Sequence, residues 1–421
     1  MKRILLIAYF YPPLGGPGVQ RPVKLVKYLR KFGWLTDVIT VKDIVFHSYD
    51  EVLAKEDEAY KVYRISSLDP MSSLKKVTKK SSANAKKVYF NTPEKFKKIV
   101  RNSFPIDEKI GWFPAAYKAG KRLLKTQKYD AVMATIGPYT SAIIAYYLSK
   151  RFHIPLLIDY RDHWSLNPYL KSRTRLNKIL SKKWESKILK HATTVSTIGE
   201  TMRNELIDSY GSYLESKIIV MYNGFDESDF ENIEIKINNK IIFRYIGNFY
   251  GLRSPKYFIK ALENLKKNDI LPVDIQVEFI GNYYPESRKY LTENKVSDFI
   301  SIRDQVDHKE ALELLMNSDA VLLFITSLAG EGILTGKMFE YIRSGKPILA
   351  MIPKDGEAGY ILKEMEQNNI CAMEDVEAIE KSFLNVYNIV KNRAAFETKD
   401  PGKFSRENQT KQFVEFVEQK L

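Results

Sequence analysis

The sequence predicts an α/β protein made of two doubly wound parallel-sheet domains, and three observations carry that expectation. Short apolar runs of strand length alternate with helical patterns through the first half of the chain, a polar stretch at 223–240 interrupts them, and the same alternation then restarts. Runs that read as continuous Val, Ile and Leu belong to strands buried on both faces, the situation of parallel strands covered by crossover helices. Two such sheets in one chain imply a ligand bound in a cleft between them, at the carboxyl ends of the strands.

The elements follow in order. In the first half, strands are expected at 4–9, 37–41, 62–65, 131–135, 156–159, 193–196 and 218–221, and helices at 19–32, 115–126, 139–152, 175–190 and 198–209. The stretch 223–240, rich in Asn, Asp, Glu and Ser, reads as an interdomain linker. Strands are then expected at 241–246, 275–280, 300–303, 320–325 and 347–351, with helices at 255–267, 309–317, 336–344, 358–367 and 376–391. A last helix is expected at 408–421, where Phe413, Phe416 and Val417 share one face. Domains are placed at 1–225 and 240–392, with a C-terminal segment at 393–421. No repeat of solenoid period is present.

Composition narrows the class. The chain has 421 residues, 44% hydrophobic and 28% charged, which excludes wholesale disorder. No run approaches the ~18 apolar residues of a spanning helix. The apolar start at residues 4–10 enters a Pro/Gly loop rather than a cleavage site. One cysteine, Cys371, excludes an intrachain disulfide and a multi-cysteine metal site. A reducing cytoplasm is the simplest compartment. Charge is unevenly divided: residues 1–230 carry 40 Lys and Arg against 22 Asp and Glu, the remainder 26 against 29. A chain basic in one half only points to an anionic partner for that half.

Three constellations carry the chemistry. Pro12 to Gly18 joins the first strand to the first helix, where glycines permit close backbone approach and the helix N-terminus offers N–H groups to an anion. It lacks the spacing of a G-x-G-x-x-G or Walker loop, and a plain tight turn is the alternative. Gly247 to Pro255 repeats the device in the second half, with Arg253 at the helix entrance as a phosphate contact or a solvated surface residue. The most specific is Gly330 to Pro347. Here Lys337 and Glu340 stand at i and i+3 on one helix face, suited to a ligand with an anionic and a hydroxylated part; a plain surface Lys–Glu pair is the alternative.

On these residues, together with Tyr245-Ile-Gly-Asn, Leu157-Ile-Asp-Tyr-Arg-Asp-His-Trp, Val195-Ser196 and Tyr222-Asn-Gly-Phe-Asp226, the chain resembles the retaining GT-B glycosyltransferases of family 4 (glycosyl transferases group 1). The resemblance covers nearly the whole chain and implies two Rossmann-like domains facing a central cleft. The first would bind the acceptor and the second a nucleotide-sugar donor, with the C-terminal helix returning to the first domain. It implies that Glu340 takes the ribose hydroxyls, that Asn248, Arg253 and Lys337 lie at the donor diphosphate, and that Gly15 and Gly16 let the first loop approach the phosphates and the acceptor. No cofactor and no metal are expected, because fixed cations and helix N-termini meet the departing charge. Two departures stand out. Asn248 occupies the place of the family's arginine, with Arg253 near that of its lysine. Eight residues separate Glu331 from Glu340 where the family has seven, leaving Glu331 as a donor-sugar contact or an exposed loop acid.

Asp162 and His163, at the end of a first-domain strand, are the candidates for orienting an acceptor hydroxyl or accepting its proton, against a structural turn. Lys75, Lys76, Lys79, Lys80, Lys86 and Lys87 precede an amphipathic helix expected from residue 92, the pattern of a helix lying on an anionic membrane, with a helix packing its apolar face on its own sheet and its charges in water as the alternative. The expected role is transfer of a sugar to a glycan or lipid-linked acceptor in cell-surface polysaccharide or glycolipid assembly, at the inner face of the membrane. A nucleotide-sugar 2-epimerase on the same fold and a basic nonenzymatic nucleic-acid binder are the alternatives. No nucleic-acid-binding signature is visible, so no nucleic-acid partner is expected.

Overall fold

In the computed structural model the described residues are 1–42, 44, 49–69, 103–104, 106–167, 174–249, 253–326, 330, 332–392, 396 and 399–421. They divide into two compact units, Met1–Tyr222 with Arg406–Leu421, and Asn223–Ser405. The lysines at 75–87, the basic helix expected from residue 92 (apart from Phe104), and Glu331 lie outside the described residues.

In the first unit the strands are β1 (Lys2–Ile7), β2 (Trp34–Val41), β3 (Lys61–Ile65), β4 (Ala131–Ile136), β5 (Leu156–Tyr160), β6 (Thr194–Thr197) and β7 (Ile218–Val220). They pair in the order β3-β2-β1-β4-β5-β6-β7, every pair parallel. The helices are α1 (Pro17–Lys31), α2 (Glu51–Lys55), α3 (Phe113–Thr126), α4 (Thr140–Phe152), α5 (Arg175–His191) and α6 (Glu200–Tyr210). Every residue of β4, β5 and β6 is buried, which is why these segments are apolar apart from short hydroxyl side chains, Tyr160 and Asp159.

The second unit has β8 (Ile241–Ile246), β9 (Ile275–Ile280), β10 (Ile300–Arg303), β11 (Ala320–Phe324), β12 (Ile348–Met351) and β13 (Ile370–Cys371), in the parallel order β10-β9-β8-β11-β12-β13. Its helices are α7 (Lys256–Lys267), α8 (Pro285–Thr292), α9 (His308–Met316), α10 (Gly336–Ser344), α11 (Glu357–Glu364) and α12 (Val376–Lys391). Strand order reverses between β1 and β4 in one sheet and between β8 and β11 in the other, so the loops leaving those strands splay apart and open a crevice at each carboxyl edge.

Three short elements were not foreseen. α2 has five residues, too few to show a helical period. α8 follows Pro285, but only Ser287 and Leu291 are buried on it, too few for an apolar stripe. β13 has two residues, too short for any periodicity. The stretch 223–240, read as a linker, lies within the second unit, with Phe225 and Phe230 packed edge to face. The final helix, α13 (Arg406–Glu418), belongs to the first unit: Phe413, Val414 and Val417 join its core beside α1, and Lys31 pairs with Glu407 at 2.6 Å.

One ion pair is sealed inside the first unit. Arg21 from α1 donates to both carboxylate oxygens of Asp159 at the end of β5, with Nη2 to Oδ1 at 2.7 Å and Nε to Oδ2 at 3.0 Å. Ser196 and Thr135 donate to the same carboxylate, at 2.8 and 3.1 Å. Burial alone would raise the Asp159 carboxyl; the Arg21 charge and these hydrogen bonds outweigh it and hold it below the usual range. Replacing Arg21 by Met strands a buried carboxylate, so the first unit is expected to lose about 3–5 kcal/mol, most of it regained in the double variant Arg21→Met, Asp159→Leu. All four tryptophans lie in this unit, so urea unfolding followed by their fluorescence reads it alone.

Candidate functional site

The second unit gathers its functional side chains at the carboxyl ends of β8 and β11. α10 starts at Gly336 with no acid in its first turn, and its N-terminus sits where β8 ends. Lys337, at its second position, donates from Nζ to the Ile246 carbonyl at 2.8 Å and lies over the Tyr245 ring, 4.5 Å from its centroid. Gly247 makes this possible. Its φ is +151°, and a Cβ there would stand 1.8 Å from the Lys337 Nζ.

Electrostatics set this lysine apart. Burial pulls its ammonium from the ordinary 10.5 down to about 7, nearby Arg253 pushes the same way, and Glu340 opposes. Arg253 therefore lies within electrostatic reach of Lys337 at the entrance to α7. A carbonyl oxygen and one ring face solvate a cation poorly compared with an anion, so this corner is short of negative charge.

One turn along α10, Glu340 is partly buried, and its Oε1 stands 2.9 Å from Nε2 of His308, the first residue of α9. Asp307 caps that helix by accepting the Glu310 N–H at 2.9 Å, which fixes where His308 begins. Sequence reasoning missed His308. Its only local signal is the Asp-His pair at a helix start after β10, and the 32 residues separating it from Glu340 hide the contact.

Asn248 has a different local task. Its Oδ1 accepts the Asn282 N–H at 2.7 Å and its backbone carbonyl accepts the Tyr245 hydroxyl at 3.1 Å, so it ties the loop after β8 to the loop after β9. Asn248 and Arg253 thus come from the one connection after β8, and Lys337 and Glu340 from one helix, α10, at a single sheet edge. Two cations stand beside the α10 N-terminus and a histidine-held carboxylate one turn away, an arrangement suited to an anion joined to a hydroxyl-bearing group.

The remaining candidates lie in the first unit. Gly15 is buried and Gly16 is the N-cap of α1, with φ +98°, a conformation that favours glycine. Arg161, just beyond β5, donates through its two Nη groups to the carbonyls of Gly18 and Gly137, fastening the α1 loop to the loop after β4. Asp162 has an exposed side chain, 3.8 Å from Arg161 Nε. His163 points elsewhere: its Nε2 is 2.9 Å from Glu205 Oε2 on α6, and among the described residues its buried Nδ1 has no hydrogen-bond partner. The carboxylate fixes the orientation of the imidazole. Among the described residues no group of three or more His, Cys, Asp and Glu is placed to hold a metal ion.

Comparison with known proteins agrees with the fold. The Glycosyltransferase Family 4 model matches residues 77–229, so the resemblance read from the motifs holds over that segment. No curated protein sequence matches the chain. Among solved structures, a glycosyltransferase from Rickettsia africae is 14% identical, with a TM-score of 0.64 over 100% of this chain and 98% of that one. Sucrose-phosphate synthase from Thermosynechococcus elongatus is 13% identical, with a TM-score of 0.63 over 100% and 99%. UDP-GlcNAc 2-epimerase from Neisseria meningitidis, bound to UDP-GlcNAc, is 15% identical, with a TM-score of 0.58 over 100% of both chains. At these identities the likeness establishes the GT-B fold.

The depressed lysine has a consequence for stability. Between about 7 and 10.5 the unfolded chain holds a proton that the folded chain lacks at Lys337, so stability rises with pH across that window and is level below it. Lys337→Met removes the penalty. The advantage of that variant over the wild type is expected to shrink from pH 7 to pH 10. The labelling rate of Cys371, buried in the second unit, compared between the two chains at each pH, measures it.

Proposed function

We propose that this chain, which carries a Glycosyltransferase Family 4 segment on a GT-B fold, moves a sugar from a nucleoside-diphosphate donor to a glycan or lipid-linked acceptor. Lys337 and Glu340, side by side at the β8 edge and held by different partners, carry the reading. In it the donor diphosphate lies at the α10 N-terminus and draws the Lys337 ammonium off the Ile246 carbonyl, with Arg253 as the second cation and Gly247 leaving room for the phosphates. Ribose hydroxyls donate to Glu340, whose carboxylate His308 orients. Glu331 would follow on the sugar. The reacting bond joins the anomeric carbon to a phosphate oxygen; as it breaks, negative charge collects on the diphosphate and is met by the two cations and the helix terminus. The acceptor hydroxyl forms the new bond and gives its proton to the departing phosphate oxygen, which leaves the donor's configuration retained.

In the first unit the reading gives the acceptor to the loops carrying Gly15, Gly16, Asp162 and His163, with His163, oriented by Glu205, as the group that aligns the hydroxyl. Acceptors of cell-surface polysaccharide and glycolipid assembly are held at a membrane. Peripheral attachment at its inner face fits a chain in which no helix among the described residues is long and apolar enough to cross a bilayer. A nucleotide-sugar 2-epimerase remains the second reading because one such enzyme shares the fold. It would alter the donor alone, whereas transfer requires an added acceptor.

A thermal-shift panel of nucleotide sugars tests the site. Glu340→Ala is expected to weaken the preferred donor about 10- to 100-fold, the range for losing hydrogen bonds to a charged group. Lys337→Met is expected to weaken the nucleoside diphosphate and leave the bare nucleoside unchanged. Equal loss for both ligands refutes a phosphate contact. Because the diphosphate restores the lysine's charge, binding is expected to take up a proton above pH 7 and to weaken as pH rises, as read by calorimetry in buffers of different ionisation enthalpy.

A further inference from the structure

The first unit is not uniformly basic. The crossovers β3 to β4, β4 to β5, β5 to β6 and β6 to β7 run in one direction across the sheet, so their right-handed helices α3, α4, α5 and α6 cover the same face, with α3 packed on α4 and α4 on α5. Of these, α3, α4 and α5 carry four, two and six Lys and Arg against one acid, Glu185, while α6 at the edge carries Arg203 with Glu200, Glu205 and Asp208. Glu185 is buried beneath α5, accepting hydrogen bonds from the Tyr160 and Tyr210 hydroxyls. Eleven of the twelve cations of α3, α4 and α5 are exposed. Among the described residues, none of the twelve joins an ion pair.

The opposite face shows the contrast. On α1, the helix of the reverse crossover, Arg21, Lys24, Arg30 and Lys31 pair with Asp159, Glu56, Glu58 and Glu407. Four cations of α1 are thus neutralised within the fold, whereas those of α3, α4 and α5 are turned outward.

A second observation says what kind of partner. Leu176 and Ile179, at i and i+3 on α5, are 64% and 56% exposed amid the lysines. Beside them a shallow groove of about 420 Å³ is lined by Ile179, Lys182, Lys183, Lys190, Ser209 and Tyr210. A phosphate backbone read by lysines makes no use of projecting aliphatic side chains. An anionic bilayer uses both: headgroup phosphates meet the ammonium groups while Leu and Ile enter the acyl boundary.

We propose that the α3–α5 layer, centred on α5, is the face by which this chain docks on an anionic membrane surface. The assignment builds on the reading of a membrane-held acceptor and names the surface responsible. It also predicts that docking does not depend on the lysines at 75–87.

Cosedimentation of the full chain with vesicles of phosphatidylglycerol and phosphatidylcholine in equal parts, and of phosphatidylcholine alone, tests this at low salt. The wild type is expected on the mixed vesicles only. The triple variant Lys178→Glu, Lys182→Glu, Lys183→Glu is expected to lose more than 100-fold in partitioning, since each cation contributes about fivefold, or ~1 kcal/mol. Leu176→Asn with Ile179→Asn is expected to lose about tenfold, a loss that persists at higher salt because it is not electrostatic. Lys75→Glu, Lys76→Glu, Lys79→Glu, Lys80→Glu is expected to retain binding within tenfold.

Wild-type partitioning by either α5 variant overturns the assignment, as does complete loss in the 75–80 variant. Loss of single-stranded RNA binding by the triple variant with vesicle binding intact overturns it in favour of nucleic acid. Urea unfolding followed by tryptophan fluorescence confirms that the first unit of each variant folds, and donor thermal shifts are read on the same proteins. Those shifts separate the two claims, because donor binding without vesicle binding refutes the docking face alone, and the converse refutes the donor site alone.

Discussion

A parallel sheet covered by helices on both faces leaves almost no place for polar chemistry except at its edges, and this constraint organises both units. Strand interiors must be apolar or carry short hydroxyls with partners, because a polar group buried there without one costs several kcal/mol. A buried charged pair, Arg21 with Asp159, sits at a strand end and is saturated by Ser196 and Thr135. Every candidate ligand-binding group follows the same logic: Gly16 after β1, Asp162 and His163 after β5, Asn248 and Arg253 after β8, and Lys337 on the helix reached from β11.

At the β8 edge the constraint produces a specific electrostatic state. The α10 N-terminus directs positive potential into the crevice, and Gly247 admits a lysine into space that any side chain would fill. Lys337 is then held by a carbonyl and an aromatic face, with Arg253 close enough to disfavour its charge further. A site already destabilised by excess positive charge favours an anion because the anion relieves a cost present without it. Glu340 remains available one turn on because His308, rather than Lys337, meets its Oε1.

Charge elsewhere is sorted by the same architecture. Helices bury one face on the sheet and turn the other outward, so the direction of a crossover decides which side of the molecule receives a helix and its charges. Three basic helices thereby collect on one face of the first unit, while those of α1 find acids on α2, the loop after it, β5 and α13. The net charge of the first half is thus concentrated into a surface, and the apolar residues at its centre give that surface a chemical character that a sum of charges lacks.

By itself the sequence determined the fold class, the bounds of β8, β9, β10, α10 and α12, and the identity of the Lys337 and Glu340 pair, because hydrophobic periodicity and i, i+3 spacing are local properties of a chain. It did not carry α8 or β13, where too few residues are buried to leave a pattern. Tertiary structure alone decided which partner each group takes: His308 for Glu340, the Ile246 carbonyl for Lys337, Asn282 for Asn248, Glu205 for His163. These contacts join residues 32, 91, 34 and 42 positions apart, and a contact of that span has no periodic trace in the sequence. It exists only once strand order brings distant loops to one edge of a sheet.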